Sequence, residues 1–381
     1  MRRLCIYVTY NKENQIQKYM TYCLKALREC CTKLYVVCNY LEISGGKQDI
    51  LPFADGIFCR ENKGYDAGAY KDVLCTLLGW DEVNQYDELI LTNDSFLGPF
   101  FDMSQYFEMM SKETCDFWGM TRQFGGELEP IGHHYQSIIQ SYFFVFRSQA
   151  MHSSQFRTFW EDFAYPATFI EAVLNYEIRL NEYLERCGFT SKALTDVWGM
   201  VFEEGKMAYM YYPFELIRDK KFPVLKKKSL LVWNSGFANV LKAIELLEMK
   251  KLYPVQWIKE LLDDQFYIEG YAPENVNCLE YFYKKFKKVY LYGAGVCGKN
   301  LMVYFDDKGW EYAGVLVTDK ANQGMRCEAF NDVRIDDETG IIISVVHRSM
   351  AEEIIEFIGS RCEKEQLFVL CDCPALRADE E

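Results

Sequence analysis

The chain has 381 residues, enough for two or three domains at roughly 100–200 residues each. Half of it (50%) is hydrophobic and 16% is aromatic, with 27 Tyr and 27 Phe, so every segment can fill a core. A formal net charge of −14 and a pI near 5.0 argue against general nucleic-acid binding, which needs a basic footprint.

Local basic runs remain: Lys220–Lys221 with Lys226–Lys228, and Lys284–Lys285 with Lys287–Lys288. They read as solvated faces, or as a peripheral contact with anionic lipid at the inner face of the cell membrane, worth about 1 kcal/mol per charge. The 15 Cys include no CxxC pair. Cys23, Cys30, Cys31 and Cys38 lack a usual zinc spacing, so reduced thiols in a cytoplasmic protein are expected. Four His occur, and His133 and His134 adjoin; neighbouring residues rarely chelate one metal. The opening MRRLCIYVTYNKEN reads as too short and polar for a signal peptide. No run of about 18 apolar residues is present for a membrane span.

In chain order, Leu4 to Thr9 predicts a buried strand, and Thr9 closes it. Gln15 to Cys30 carries Tyr19, Met20, Cys23, Leu24 and Leu27 at helical spacing. Lys33 to Cys38 and Gly56 to Arg60 predict two more strands, giving a β-α-β order and a parallel sheet with right-handed crossovers. The stretch ENKGYDAGAY follows. Asp66 fits the N-cap of a helix from Ala67 to Leu78 that Gly79 ends. Ligand contact by Asp66 weighs equally with capping, because a helix start offers free N–H groups to anionic oxygens. Glu88 to Thr92 predicts a central strand, with Asn93, Asp94 and Ser95 at its end, a composition common in ordinary turns. Asn62, Gly64, Asp66, Asn93, Asp94 and Ser95 thus stand at the C-terminal edges of two strands, where open α/β sheets hold ligands.

Asp116 to Thr121 and Ser141 to Phe146 predict further strands, joined by a Gly-rich, His-bearing loop over 122–136. Thr168 to Glu171 forms a capping box for a helix to about Arg186, stopped by Gly188. On that helix Glu177 has mostly apolar neighbours at three and four residues, so it faces inward and needs a partner or a chemical task. Phe214 to Leu225 reads as a surface loop, and Val240 to Leu262 as a helical connector interrupted by Pro254. The sequence KKVYLYGAGVCGKNL then places Gly293-x-Gly295-x-x-Gly298 between a strand and a helix. Asp319 follows at the end of the next strand, as in a dinucleotide fingerprint. Strands are also expected at Gly340 to Val346 and Gln366 to Leu370, with a helix from Met350 to Ile358. This is a half-sized unit. A glycine turn that binds nothing is the structural alternative to a nucleotide or NAD.

Taken together, NKGYDAGAYKD, LTNDSFLGPF, QSYFFVF, YEIRL and FPVLKKK resemble the rhamnan synthesis F family of glycosyltransferases, over roughly residues 1–235. The C-terminal YGAGVCGKNL unit resembles Rossmann-like modules fused to some polysaccharide-synthesis proteins. The resemblance implies an α/β fold: a GT-A-like mixed, mainly parallel sheet flanked by helices over 1–235. A helical connector at 236–284 and a small Rossmann-like α/β domain at 285–381 complete the expected organisation. It implies a nucleotide-sugar donor, dTDP-L-rhamnose, and a growing cell-surface glycan or lipid-linked acceptor. It also implies an aspartate after the central strand that helps a divalent metal, Mg or Mn, hold the diphosphate. Two departures stand out. GT-A sites usually carry two carboxylates in a DxD pattern, whereas Asn93-Asp94-Ser95 has one. Ile138 occupies a place where a His is expected in many relatives.

For inverting transfer the expected roles follow. Asp94 positions metal or diphosphate. Thr9, Asn62, Gly64, Asp66, Asn93 and Ser95 bind the donor, with Gly64 allowing close backbone approach. Glu177 is the first candidate base and Asp116 the second. Two rivals stay open on sequence alone: an NAD-dependent oxidoreductase working through Gly293, Gly295, Gly298 and Asp319, and a non-catalytic scaffold in glycan assembly.

Overall fold

The computed structural model describes residues 1–128, 131–200, 207–274, 276–319 and 327–377. They fall into two compact units. The first holds 1–209, 215–226 and 250–253; the second holds 210–214, 227–249 and 254–381.

In the first unit, apolar runs bounded by polar residues become parallel strands. These are β1 (Arg3–Thr9), β2 (Lys33–Cys38), β3 (Gly56–Cys59) and β4 (Glu88–Asn93). The central ones, β1 and β4, are buried on both faces, and β3 is a half-exposed edge. Leu4 to Val8 and Leu89 to Leu91 are fully enclosed. The strands β5 (Phe96–Leu97), β6 (Phe117–Gly119), β7 (Arg122–Leu128), β8 (His133–Ile139), β9 (Phe143–Arg147), β10 (Ser191–Ala193) and β11 (Leu225–Lys226) follow. Seven of them make one sheet in the order β10-β6-β9-β4-β1-β2-β3. Only β9 runs antiparallel to its neighbours β4 and β6. The sheet is therefore mixed and mainly parallel, as expected. The helix Lys18–Cys30 joins β1 to β2 and buries the five residues whose spacing predicted it.

Aromatics fill this core. Tyr70, Trp160 and Tyr176 meet with ring centroids 5.7–6.3 Å apart, beside Phe117, Phe144 and Phe146. Each large side chain so buried contributes about 1.5–3 kcal/mol. Most aromatics in this sequence thus serve packing.

The chain order sets where a crevice can open at the sheet edge. From β1 it moves outward through β2 to β3, then returns past β1 to β4. Neighbouring connections diverge between β1 and β4, and such a switch point opens a crevice at the carboxyl ends of the strands.

Several local expectations change. The helix after Gly64 spans Tyr65–Asp72 and continues as π-helical winding over Val73–Leu77. Its N-cap is Gly64, at φ +76°, not Asp66. A glycine here adopts the left-handed backbone without the Cβ penalty, so the turn sits two residues earlier than a capping Asp predicts. The expected 122–136 loop is instead the hairpin of β7 and β8. On β7 the buried positions alternate, Gln123 and Gly125, and Ile138 and Ile139 close β8 buried, a strand pattern that the glycines disguised. The expected loop at Phe214 contains the helix Pro213–Lys220, which opens on its proline. The helix from Thr168 is capped by that residue's hydroxyl. It contains π-helical winding at Val173–Ile178 before Arg179–Arg186.

The second unit is built on β12 (Lys288–Tyr292), β13 (Gly314–Val317), β14 (Glu328–Ala329), β15 (Thr339–Ile343) and β16 (Leu367–Val369). All pair in parallel, in the order β14-β13-β12-β15-β16. The helix Val296–Lys308 follows β12. Asn300 on it donates to the carbonyls of Val232 and Asn234, while Lys308 pairs with Asp263 at 2.8 Å. Among the described residues, no helix is long and apolar enough to cross a membrane.

A Cβ on Gly64 would lie 2.8 Å from Tyr165 Cδ1, on a backbone at φ +76°. Gly64→Ala is expected to cost about 1–3 kcal/mol through strain and collision. Chemical denaturation of the variant measures it, and an unchanged midpoint contradicts this account of the turn.

Candidate functional site

The loop between β3 and the helix Tyr65–Asp72 is held by one guanidinium. Arg60 donates to Asp72 Oδ2 (2.8 Å), Asn39 Oδ1 (2.7 Å) and the Lys63 carbonyl (2.8 Å). Asn39, just past β2, donates in turn to the Tyr65 carbonyl at 3.0 Å. This clamp holds two successive left-handed residues, Gly64 at φ +76° and Tyr65 at φ +57°. The second is strained for a side chain of this size and persists only because its surroundings enforce it. Gly68 is also fixed by contact, since a Cβ there would lie 2.2 Å from the Lys63 carbonyl oxygen. Asn62 is exposed on the same loop.

Out of this turn comes Asp66. Its Oδ1 accepts from the Ala67 N–H (2.9 Å), and its Oδ2 accepts from Asn93 Nδ2 (2.8 Å) at the end of β4. Burial pushes the Asp66 carboxyl above the ordinary carboxylate range, against the pull of the Asn93 and Ala67 hydrogen bonds. Asn93 Oδ1 accepts from the Ser95 hydroxyl (2.5 Å) and the Ser95 N–H (3.1 Å). Ser95 Oγ accepts from Lys226 Nζ at 2.6 Å. Lys226 arrives on β11, which pairs with β5 so that Lys226 stands opposite Phe96. Its ammonium lies 4.2 Å from the centroid of the Tyr142 ring and 5.8 Å from that of Tyr209. Four polar side chains from three separate segments of the chain therefore form one directed row, ammonium to hydroxyl to amide to carboxylate.

Asp94 lies just inside this row and is buried. Its Oδ2 accepts from the Thr9 hydroxyl at 3.1 Å, and its N–H donates to the Val8 carbonyl at 3.1 Å. It bridges the ends of β1 and β4 at the switch point. After burial, its charge is the next cause raising the Tyr19 hydroxyl and the Cys23 thiol. The tip thus brings together Thr9, Gly64, Asp66, Asn93, Asp94 and Ser95.

Glu177 accepts from the Ser141 N–H at 2.9 Å and from the Ser141 hydroxyl. Its partner is therefore a backbone and a hydroxyl, not the arginine a buried ion pair would supply. A buried polar row lies alongside. Thr121 Oγ1 bonds Gln140 Oε1 (2.6 Å) and the Tyr142 hydroxyl (2.9 Å), and Gln140 Nε2 donates to the Tyr209 hydroxyl (3.3 Å). Burial, and then the Glu177 charge, raise the Tyr209 hydroxyl. Ile138 is buried within β8.

Asp116 is not brought to this place. It precedes β6, which runs parallel to β4 because both are antiparallel to β9. It therefore sits at the opposite edge of the sheet, where its carboxylate accepts from the Thr190 N–H and hydroxyl at 2.7 and 2.8 Å. A base for chemistry at the Asn93 edge cannot work from there.

In the second unit, Gly293 stands at φ +115° and Gly298 packs against it. A Cβ on Gly298 would lie 1.9 Å from the Gly293 carbonyl oxygen. Ser344 Oγ donates to the Tyr292 carbonyl at 2.7 Å. Two of the three glycines thus answer to packing, while a Cβ on Gly295 would meet nothing within 4 Å. Asp319 follows β13, one residue beyond Thr318, whose hydroxyl bonds the Tyr292 hydroxyl at 2.8 Å.

Among the described residues, no group of three or more His, Cys, Asp or Glu is placed to hold a metal ion. Magnesium and manganese at phosphate sites need only one or two carboxylates, with water and substrate oxygens completing the shell. Asp94, at the tip of β4, offers one such carboxylate. Sequence reasoning missed Arg60, Asn39, Tyr142, Tyr209 and Lys226. The last two tyrosines sit in aromatic-rich surroundings that read as core, and Lys226 lay inside a run read as a solvated or lipid-facing surface.

The family described as rhamnan synthesis protein F matches residues 34–291, past the residue-235 boundary that the motifs suggested. Virulence protein VirA of Vibrio anguillarum (strain ATCC 68554 / 775) is 25% identical over 178 residues, 46% of this chain and 54% of that protein. A second VirA sequence from Vibrio anguillarum gives the same values: 25% identity over 178 residues, 46% and 54% coverage. The chain spans about half the length of the curated relatives it matches. Among solved structures, core-mannan synthase A from Aspergillus fumigatus, in an Mn/GDP form, is 8% identical. It covers 51% of this chain and 73% of its own, at a TM-score of 0.29, too slight a likeness to build on. The family match spans more than half of the sequence, and the chain belongs to the rhamnan synthesis protein F family.

Proposed function

We propose that the chain is a glycosyltransferase of polysaccharide synthesis with a GT-A-like catalytic unit. It moves L-rhamnose from dTDP-L-rhamnose onto a cell-surface glycan or a lipid-linked acceptor, with inversion at the anomeric carbon. The observation that carries this reading is the Lys226–Ser95–Asn93–Asp66 chain at the switch-point edge. Family membership supports it.

In the reaction, an acceptor hydroxyl oxygen bonds to the anomeric carbon of the donor. The bond from that carbon to the diphosphate oxygen breaks, its electron pair leaves with the nucleoside diphosphate, and the acceptor proton goes to the Glu177 carboxylate. Ser141 holds that carboxylate from two donors, which fixes its direction. Asp66 and Asn62 bind ribose and base hydroxyl or amide groups, and Gly64 lets the backbone approach. Asp94 is the residue that would hold a Mg²⁺ or Mn²⁺ ion, with Thr9 fixing its carboxylate. Such an ion, when bound, supplies positive charge to the leaving diphosphate. A second reading, a nucleotide at Gly293–Gly298 in the second unit, draws on the open space above Gly295.

Turnover across a panel of sugar nucleotides tests the main reading. Release of dTDP from dTDP-L-rhamnose is expected to exceed release of UDP or GDP from their hexose donors, and equal inactivity on all contradicts it. Glu177→Gln is expected to lower transfer by about 10²–10⁴-fold while leaving donor affinity intact; steady-state kinetics with unchanged turnover would remove Glu177 from the role. Asp94→Asn is expected to weaken dTDP binding roughly tenfold in Mg²⁺ and little in chelator. Calorimetry giving equal affinity for both proteins in Mg²⁺ would exclude Asp94 as the metal-holding residue.

A further inference from the structure

We infer that Lys226 is the resident cation of the donor site, there to meet the diphosphate as it leaves. This rests on the nucleotide-sugar reading above and names one residue within it.

Four observations converge. The first is placement. Pairing of β11 with β5 sets Lys226 beside Phe96, the residue after Ser95, so its position comes from the sheet ladder and not from a floppy loop. The second is anchoring. The ammonium donates to Ser95 Oγ at 2.6 Å and rests on the Tyr142 face at 4.2 Å. A strongly hydrated ammonium gives up water to be held in this way, which favours a compact, fixed charge over a wandering one. The third is context. The whole chain carries a net charge of −14, a field that repels a nucleoside diphosphate. A local cation at the strand tips is what a dianionic leaving group needs there. The fourth is connection. Through Ser95 and Asn93 the ammonium is tied to Asp66, so charge recognition and nucleoside recognition share one hydrogen-bonded row.

The chemistry then has a direction. As the glycosidic bond breaks, negative charge grows on the diphosphate oxygens. A fixed ammonium already in place stabilises that charge without reorganising at the moment of reaction. Lys226 therefore acts more strongly on the departing diphosphate than on the neutral sugar or the nucleoside.

Calorimetry with dTDP, UDP and GDP, on the full chain, provides the test. Lys226→Met keeps the stem against Tyr142 and removes the charge. It is expected to weaken whichever diphosphate binds the unmodified protein by roughly 10–100-fold, with Lys226→Arg recovering most of the loss. Ser95→Ala, which keeps the lysine and removes its anchor, is expected to weaken the same ligand several-fold. Unchanged affinity in either Lys226→Met or Ser95→Ala overturns the assignment while leaving the donor site standing. Binding of none of the three diphosphates by the unmodified protein overturns both.

Discussion

The candidate site of the first unit turns on one contact, the hydrogen bond from Asn93 to Asp66. It joins the loop after β3 to the loop after β4, two segments that the sheet order places on opposite sides of β1 and β2. Without it the tips would be independent turns, each rich in Asn, Asp and Ser and each unremarkable. With it, an amide is used at both ends. Its nitrogen serves Asp66, and its oxygen serves Ser95, which in turn receives Lys226. A flipped amide would turn its oxygen toward Asp66 Oδ2 and its nitrogen toward the Ser95 N–H, losing both of those bonds, so the row favours one orientation.

The surroundings explain why that orientation holds. Arg60 grips three acceptors around the loop, and Asn39 pins the carbonyl of the strained Tyr65. Asp94 and Thr9 bind the two central strands just beneath. The row therefore sits on rigid elements, and the strained backbone above it is enforced by charge and packing. Strain of this kind clusters where a chain must present groups at fixed positions. Asp66 is half-buried, and that burial opposes its ionisation while the Asn93 and Ala67 hydrogen bonds favour it.

Much of this could be read before any coordinates. The apolar runs of β1, β2 and β4, and the stripe of the helix Lys18–Cys30, follow from period and length alone. So does the clustering of polar residues at strand ends. What could not be read has physical causes. Asp66 looks like an N-cap because aspartate favours that position, but Gly64 takes it by adopting a backbone that aspartate enters less readily. Asp116 looks like a site carboxylate until the antiparallel β9 is known to lie between β4 and β6, which fixes the edge to which Asp116 belongs. Lys226 looks like part of a solvated run, because a two-residue strand such as β11 leaves no periodic trace. A local glycine conformation decided the first case, and long-range strand pairing, which local sequence does not encode, decided the other two.

On the reading proposed above, this row receives the diphosphate of an activated sugar. Amide chemical-shift mapping by NMR, on titrating dTDP into the labelled protein, tests it most directly. The largest changes are expected at Gly64, Tyr65, Asn93, Ser95 and Lys226. Changes confined to Gly293, Gly295 and Cys297, with those five residues unmoved, would contradict it.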